Sequence, residues 1–297
     1  MQRKINLVVQ PSFKCNYDCE FCYLGDLKKK KDLLDIKTLS KRLSELQSKA
    51  DIGSVQILGG EPSLLDREYF NDMCSVLKGY HLSFVTNFSN EWLLEYCLMT
   101  GSHLTVSLDT ERKQFKNTVS KLKKCKGIKC ISLSSIVFDE LYISDKNDIL
   151  DFYEDLGFDV FFVQFSESTN NNLLCTAVDN SDYCEFIKEL IEVYKAGHYT
   201  FKLENMYMFD TKNANMHSVY INPDGSVATI SYTKYGEEGF INFNNIDDLF
   251  AYMDSKDYNR MKQCEGCKLY FKCKGKNVLS EKQNKCLLLN EMKDSIL

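Results

Sequence analysis

Six times between Ile5 and Phe165 a short run of β-branched and aromatic residues gives way to a longer stretch with helical periodicity. The runs Ile5–Gln10, Ser54–Leu58, His81–Thr86, His103–Leu108, Ile128–Val137 and Asp159–Phe165 read as strands. The stretches Leu33–Ala50, Glu68–Gly79, Asn90–Thr100, Arg112–Lys124, Lys146–Leu156 and Asp182–Ala196 read as amphipathic helices. Six βα units in succession commit a chain to a parallel sheet with right-handed crossovers. Two architectures satisfy that: a doubly wound sheet, or a barrel short of the full eight strands.

The rhythm changes after about Phe201. "VYINPDGSVATISY" (Val219–Tyr232) reads as two short strands around an Asn-Pro-Asp-Gly turn, with Pro and Gly where a tight turn uses them. A short helix is expected over Ile246–Asp254, followed by a cysteine-rich end. The expected division is therefore an α/β unit over residues 1–200 and a smaller C-terminal module over 201–297. The module is too small to stand alone without a metal or the first unit to pack on.

Hydrophobic content of 44% and charged content of 27% are those of a soluble globular protein. A net charge of −5 gives no footprint for nucleic-acid binding. No apolar run approaches the ~20 residues of a membrane span, and Ile5–Val9 is too short for a signal core. The expected location is the cytoplasm, where thiols stay reduced. The 13 cysteines then argue for metal, and their odd number fits a disulfide framework poorly.

Three of them stand together in "KCNYDCEFCYL": Cys15, Cys19 and Cys22, spaced C-x₃-C-x₂-C. Chance would give this spacing roughly 0.03 times in such a composition. Zinc ordinarily takes four ligands from paired knuckles, and the next cysteine along the chain is Cys74, inside a helical pattern. Thiolates suit iron–sulfur at least as well. Three on a four-iron cube leave one iron open to a small chelating ligand. One unit downstream, "ILGGEP" (Ile57–Pro62) ends the second strand with two glycines, an acid and a proline. The glycines allow close backbone approach to a ligand, and Glu61 can accept hydrogen bonds from an amino group.

The triplet with Gly59, Gly60, Glu61 and Pro62 resembles the radical S-adenosylmethionine superfamily, over roughly residues 5–200. The resemblance implies a partial (β/α)6 TIM-type barrel. It also implies a [4Fe–4S] cluster on Cys15, Cys19 and Cys22, whose open iron chelates the amino and carboxylate groups of S-adenosylmethionine. Tyr23, with Phe21, resembles the cluster-shielding and adenine-side positions. Asn87 lies in Thr86-Asn87-Phe88, where the family has "TNG", and Ser107-Leu108-Asp109 matches the ribose-side "S-x-D". Ser134 or Ser135 and Gln164 are further candidates on the fifth and sixth strands. The implied chemistry is a one-electron cleavage to methionine and a 5′-deoxyadenosyl radical, which abstracts a substrate hydrogen. No catalytic acid or base is assigned.

Near the end, Cys264, Cys267 and Cys273 form C-x₂-C-x₅-C, with Cys286 thirteen residues on. Spacing alone leaves zinc and iron–sulfur open. Behind a radical S-adenosylmethionine barrel, the hairpin, helix and cysteines resemble the SPASM/Twitch extension. Asn277 stands where the full pattern has a further cysteine. The resemblance therefore implies one auxiliary [4Fe–4S] cluster rather than two, fully ligated by these four thiolates. The remaining cysteines (Cys74, Cys97, Cys125, Cys130, Cys175 and Cys184) read as small core residues.

Two functions follow. One is oxidative modification of a ribosomally made peptide, by crosslinking, thioether formation or epimerisation. The other is radical oxidation of a small molecule such as an aminosugar or cofactor precursor. Either needs an electron donor such as flavodoxin or ferredoxin. The peptide reading adds a separate leader-binding protein or direct binding of the leader to the barrel, because the barrel starts at residue 5.

Overall fold

Ile5, Leu7 and Val9 are fully buried on one face of the first strand, β1 (Arg3–Val9), because strand side chains alternate between faces. The same alternation runs through β2 (Ala50–Ile57), β3 (Leu82–Thr86) and β4 (His103–Ser107), which bury Val55 and Ile57, Leu82 and Phe84, and Leu104 and Val106. β5 (Ile131–Val137) and β6 (Asp159–Gln164) add Leu133 and Phe162. Helices α1 (Ile36–Gln47), α2 (Arg67–Val76), α3 (Trp92–Thr100) and α4 (Phe115–Lys124) pack on that face. So do α5 (Asp139–Ile143), α6 (Lys146–Leu156) and α7 (Asn180–Ala196), and all share one continuous core with the strands. The opposite face carries half-buried polar residues, including Asn6, Gln56, Thr105, Ser107 and Ser134. The computed structural model describes residues 3–164, 180–207, 217–230 and 240–263.

Strand order decides between the two architectures. The first six strands lie in the order β6-β5-β4-β3-β2-β1, each parallel to the next. A doubly wound sheet reverses direction at a switch point; this one steps the same way every time, as a barrel does. The fold is a partial (β/α)6 TIM-type barrel. Asp35, Asp66 and Asp145 start α1, α2 and α6 by accepting hydrogen bonds from first-turn amides.

The part after Phe201 does not begin a new sheet. β7 (His217–Ile221) is parallel to β1, and β8 (Val227–Ile230) and β9 (Phe240–Phe243) follow antiparallel, making a sheet of nine strands among the described residues. The expected Asn-Pro-Asp-Gly turn joins β7 to β8: the Gly225 N–H donates to the Asn222 carbonyl at 2.9 Å, with Gly225 at φ +78°. The last helix among the described residues, α8 (Ile246–Gln263), is longer than its expected range. β9 and α5 had no counterpart in the sequence reading. Cys74, Cys97 and Cys184 are buried, and Cys125 and Cys130 half-buried. Cys175, Cys264, Cys267, Cys273 and Cys286 lie outside the described residues.

Arg42 of α1 fastens this extension to the barrel. Its Nε donates to the Gly225 carbonyl at 2.9 Å and one terminal nitrogen to the Asn244 carbonyl at 2.8 Å, while Glu45 pairs with the other at 2.9 Å. A Cβ on Gly225 would stand 2.6 Å from Thr38 Cγ2, so the turn lies directly against α1. Arg42→Ala is expected to cost about 2–3 kcal/mol, because two charge-assisted bonds are lost. Hydrogen exchange should quicken first in residues 217–230. Wild-type exchange there would show that the clip holds nothing.

Candidate active site

The C-terminal rim of the barrel begins where β1 and β2 stop. Their parallel ladder continues beyond both strands: the Leu58 N–H donates to the Val9 carbonyl at 3.1 Å, Gly60 to Ser12 at 2.9 Å, and Glu61 to Lys14 at 2.9 Å. The Gly-Gly-Glu segment is thereby zipped to the residues that lead into Cys15. The approach leaves no room for side chains. A Cβ on Gly60 would meet the Lys14 carbonyl oxygen at 2.1 Å, and one on Gly59, at φ +135°, the Ser12 carbonyl oxygen at 2.5 Å. Pro62 then opens a 3₁₀ turn, Pro62–Leu64, at the position where its missing N–H costs nothing.

Cys15, Cys19 and Cys22 are all half-buried on the loop after β1. Turns carry the loop round: the Cys22 N–H donates to the Cys19 carbonyl at 3.2 Å, and Gly25 to Cys22 at 3.0 Å. Phe21 is buried against Phe138 with ring centroids 5.0 Å apart. Lys28 pairs with Asp18 at 2.8 Å across the loop, and Lys29 with Asp26 at 2.7 Å, so half of the basic run 28–31 serves local ion pairs. The Cys15 sulfur accepts from the Tyr17 N–H at 3.4 Å and from Asn87 Nδ2 at 3.7 Å. Burial pushes the Cys19 thiol up to about 11, against the pull of Arg112. Burial also raises Cys15, opposed by the Tyr17 hydrogen bond.

The motif's acid is engaged within the rim. Glu61 is buried, and its carboxylate accepts from Ser63 N at 3.0 Å, Thr86 Oγ1 at 2.7 Å and Asn87 N at 2.6 Å. Of the roughly four acceptor positions of a carboxylate, one remains. Glu61 thus ties the rim of β2 to that of β3, and what the motif offers a ligand is mainly backbone. The turn after β3 keeps a glycine-like shape without a glycine. Phe88 has φ +59°, the sole positive φ of a non-glycine among the described residues. Such a conformation costs about 1–2 kcal/mol, which burial of the ring, 1% exposed, offsets at about 1.5–3 kcal/mol. Lys121 donates to the carbonyls of Phe88 and Ser89 at 3.2 and 3.0 Å.

Asp109 repeats the pattern at the next strand. Its buried carboxylate accepts from the Ile136 N–H at 2.8 Å and from Arg112 Nε at 2.6 Å, joining β4's rim to β5. Arg112 in turn lies over the Phe21 ring, 5.5 Å from its centroid. Ser107, half-buried, ends β4 directly beside Ser134 of β5 on the inner face. The Tyr23 hydroxyl accepts from Gln10 Nε2 at 3.1 Å, at the end of β1, and burial pushes that phenol upward. Gln10 is fully buried, and its Oε1 has no hydrogen-bond partner among the described residues. Gln164 ends β6; its side chain lies outside the described residues.

Several of these residues carry no signal the sequence reading used. Thr86 stood in the quoted triplet without a role, and Gln10 was only the last residue of a strand. Arg112 was placed at a helix start, although its position three beyond Asp109 hints at a pair.

This arrangement fits an iron–sulfur cluster with an open iron. It supplies three half-buried thiols, donors aimed at one sulfur, and a glycine segment packed so closely on the cysteine loop that no Cβ fits between them. Among the described residues no three His, Cys, Asp or Glu side chains converge on a single ion. A cube does not require that, since each thiolate binds a different corner.

Comparisons with known proteins agree. The family model described as "Radical SAM superfamily" matches residues 9–209. Among solved structures, native anSMEcpe with bound AdoMet and Cp18Cys peptide aligns over 99% of this chain and 98% of its own. The TM-score is 0.66 at 15% identity. Streptococcus suis SuiB bound to S-adenosylmethionine aligns over 95% and 76%, with TM-score 0.66 and 16% identity. SuiB bound to precursor peptide SuiA aligns over 76% and 59%, with TM-score 0.59 and 16% identity. No curated protein sequence matches. The chain belongs to the radical SAM superfamily and is a radical SAM enzyme. That fold implies a [4Fe–4S] cluster and S-adenosylmethionine.

Gly60→Ala tests the zipper. With its Cβ 2.1 Å from the Lys14 oxygen, the variant is expected to lose about four irons per chain after anaerobic reconstitution, with its helical circular dichroism retained. Wild-type iron content would show that the cysteine loop does not depend on this approach.

Proposed function

We propose that this enzyme carries out oxidative radical modification of a ribosomally made peptide. The observation that carries the reading is the end-to-end alignment with a peptide-bound structure, anSMEcpe, over 98% of that chain. The SuiB complex with precursor peptide SuiA shares the same fold. The polar inner face of the sheet, with Gln56, Thr105, Ser107 and Ser134 half-buried, suits a hydrogen-bonding substrate such as a peptide backbone.

In this reading Cys15, Cys19 and Cys22 hold the cluster as thiolates and leave one iron open. Gly59 and Gly60 let the backbone reach the cofactor's methionyl end, and Glu61 and Pro62 fix that backbone. Tyr23, Asn87, Ser107, Asp109 and Gln164 frame the rest of the cofactor site. Bound together, the cluster and S-adenosylmethionine supply one electron and a cleavable sulfonium, the source of the 5′-deoxyadenosyl radical that takes a substrate hydrogen. The barrel's inner face orients the target C–H and excludes water from it. In a SPASM/Twitch-type extension, Cys264, Cys267, Cys273 and Cys286 would hold an auxiliary [4Fe–4S] cluster, which would supply a one-electron acceptor. An external flavodoxin or ferredoxin supplies the first electron, and a separate leader-binding protein presents the peptide.

Two measurements test this. Extracts of cells grown on deuterated medium, split into peptide and small-molecule fractions, are incubated with the reduced enzyme. Deuterium in 5′-deoxyadenosine should come from the peptide fraction; transfer from the small molecules alone would favour an aminosugar or cofactor precursor. Secondly, a variant with Cys15, Cys19 and Cys22 all changed to alanine should keep about four irons per chain. Zinc in their place would remove the auxiliary cluster from the account.

A further inference from the structure

The surroundings of the three thiols are uneven. Cys15 accepts two N–H donors, from Tyr17 and Asn87, while a fixed cation, Arg112, lies over the Phe21 ring of the cysteine loop. We propose that Asn87 and Arg112 are positioning residues that raise the reduction potential of the cluster on Cys15, Cys19 and Cys22: Asn87 through an N–H···S bond to Cys15, Arg112 through its charge over the Phe21 ring of the cysteine loop. The inference rests on the cluster assignment made under the proposed function.

The Asn87 amide cannot be turned the other way. Its Oδ1 accepts from the Ser89 N–H at 2.9 Å, which fixes the oxygen on that side and leaves Nδ2 facing the sulfur. The two hydrogens of Nδ2 go to Asn16 Oδ1 at 2.9 Å and Cys15 Sγ at 3.7 Å, a length suited to sulfur's larger radius. The residue is held from both sides. Its own N–H donates to Glu61 at 2.6 Å, and the left-handed Phe88 follows it. Asn87 therefore stands between the Glu61 carboxylate and Cys15, giving one donor to each. Glu61's charge acts on Cys15 in the opposite sense, so this donor partly offsets it.

Arg112 is equally fixed. Asp109 holds its Nε at 2.6 Å, Ile136 holds Asp109, and the guanidinium rests over Phe21, a residue of the cysteine loop itself. The side chain is 15% exposed, so water screens its charge weakly. Lys28 adds a second cation there: it pairs with exposed Asp18 at 2.8 Å and donates to the Cys19 carbonyl at 3.4 Å.

Reduction adds one electron to the cluster, taken from an external low-potential one-electron donor, with no bond or proton changed. The reduced state carries one more negative charge, so N–H donors and a nearby cation stabilise it over the oxidised state. Hydrogen bonds to the sulfurs and local charge are among the established levers on such potentials.

The test is an EPR-monitored redox titration of the cluster signal that changes on adding S-adenosylmethionine. Asn87→Leu keeps the volume and removes the donor; Arg112→Gln removes the charge, and Arg112→Lys keeps it. Each of the first two is expected to lower the reduced-to-oxidised ratio about tenfold at a fixed solution potential, a midpoint about 59 mV more negative. Arg112→Lys should recover at least half of that shift. If Asn87→Leu fails to retain its cluster, Asn87→Ser, too short to reach Cys15, takes its place. Wild-type midpoints in iron-replete variants overturn this inference alone. A wild-type protein with no signal responsive to S-adenosylmethionine overturns the cluster assignment, and this inference with it.

Discussion

Three backbone hydrogen bonds, Leu58 to Val9, Gly60 to Ser12 and Glu61 to Lys14, hold the candidate site together. Each is worth about 1 kcal/mol on its own. Their importance lies in what they prevent. By continuing the β1–β2 ladder past the strand ends, they stop the cysteine loop from swinging away from the sheet. Gly59 and Gly60 are required because the two backbones come closer than any Cβ permits, not because the turn needs flexibility.

The rest of the rim follows from a second device, used twice. A buried carboxylate after one strand accepts hydrogen bonds from the next: Glu61 joins β2 to β3 through Thr86 and Asn87, and Asp109 joins β4 to β5 through Ile136. Buried carboxylates are stable only when so satisfied. Both bring a partner to the cysteine loop, Asn87 from the first and Arg112 from the second. The acids of the two motifs thus act largely as scaffolding: the first places Asn87 against the Cys15 sulfur, the second places Arg112 over Phe21 of the same loop.

The βα rhythm was legible because hydrophobic periodicity is a local property. The six parallel strands and their helices follow the order read from the sequence, but β2 starts at Ala50, four residues before its expected range and within the stretch read as helix. The Asn-Pro-Asp-Gly turn stands where Pro223 and Gly225 put it. What the sequence could not show was pairing at long range. Nothing in "VYINP" says that β7 joins β1 and carries the barrel sheet onward, because that follows from the register of Ile5 against His217. Short polar-flanked elements such as β9 and α5 have too few residues to display a period. In the site, the cysteines and glycines announced themselves by type and spacing. Arg112, Thr86 and Gln10 did not, since their roles depend on partners brought together by the fold. Phe88 shows the reverse case: the expected glycine is absent, yet the left-handed turn persists because a buried ring offsets the strain.

The central claim is that the Cys15–Cys22 loop and the Gly59–Pro62 segment together build a site for S-adenosylmethionine on an open iron. Electron–nuclear double resonance on the reduced protein, with the methionyl amino nitrogen labelled with nitrogen-15, tests it directly. The account predicts a nitrogen-15 coupling of direct iron–nitrogen bonding in the wild-type protein. It also predicts loss of that coupling, with the protein still folded, when Gly60 becomes alanine. A reduced cluster that shows no such coupling, or a coupling undisturbed by Gly60→Ala, would contradict it.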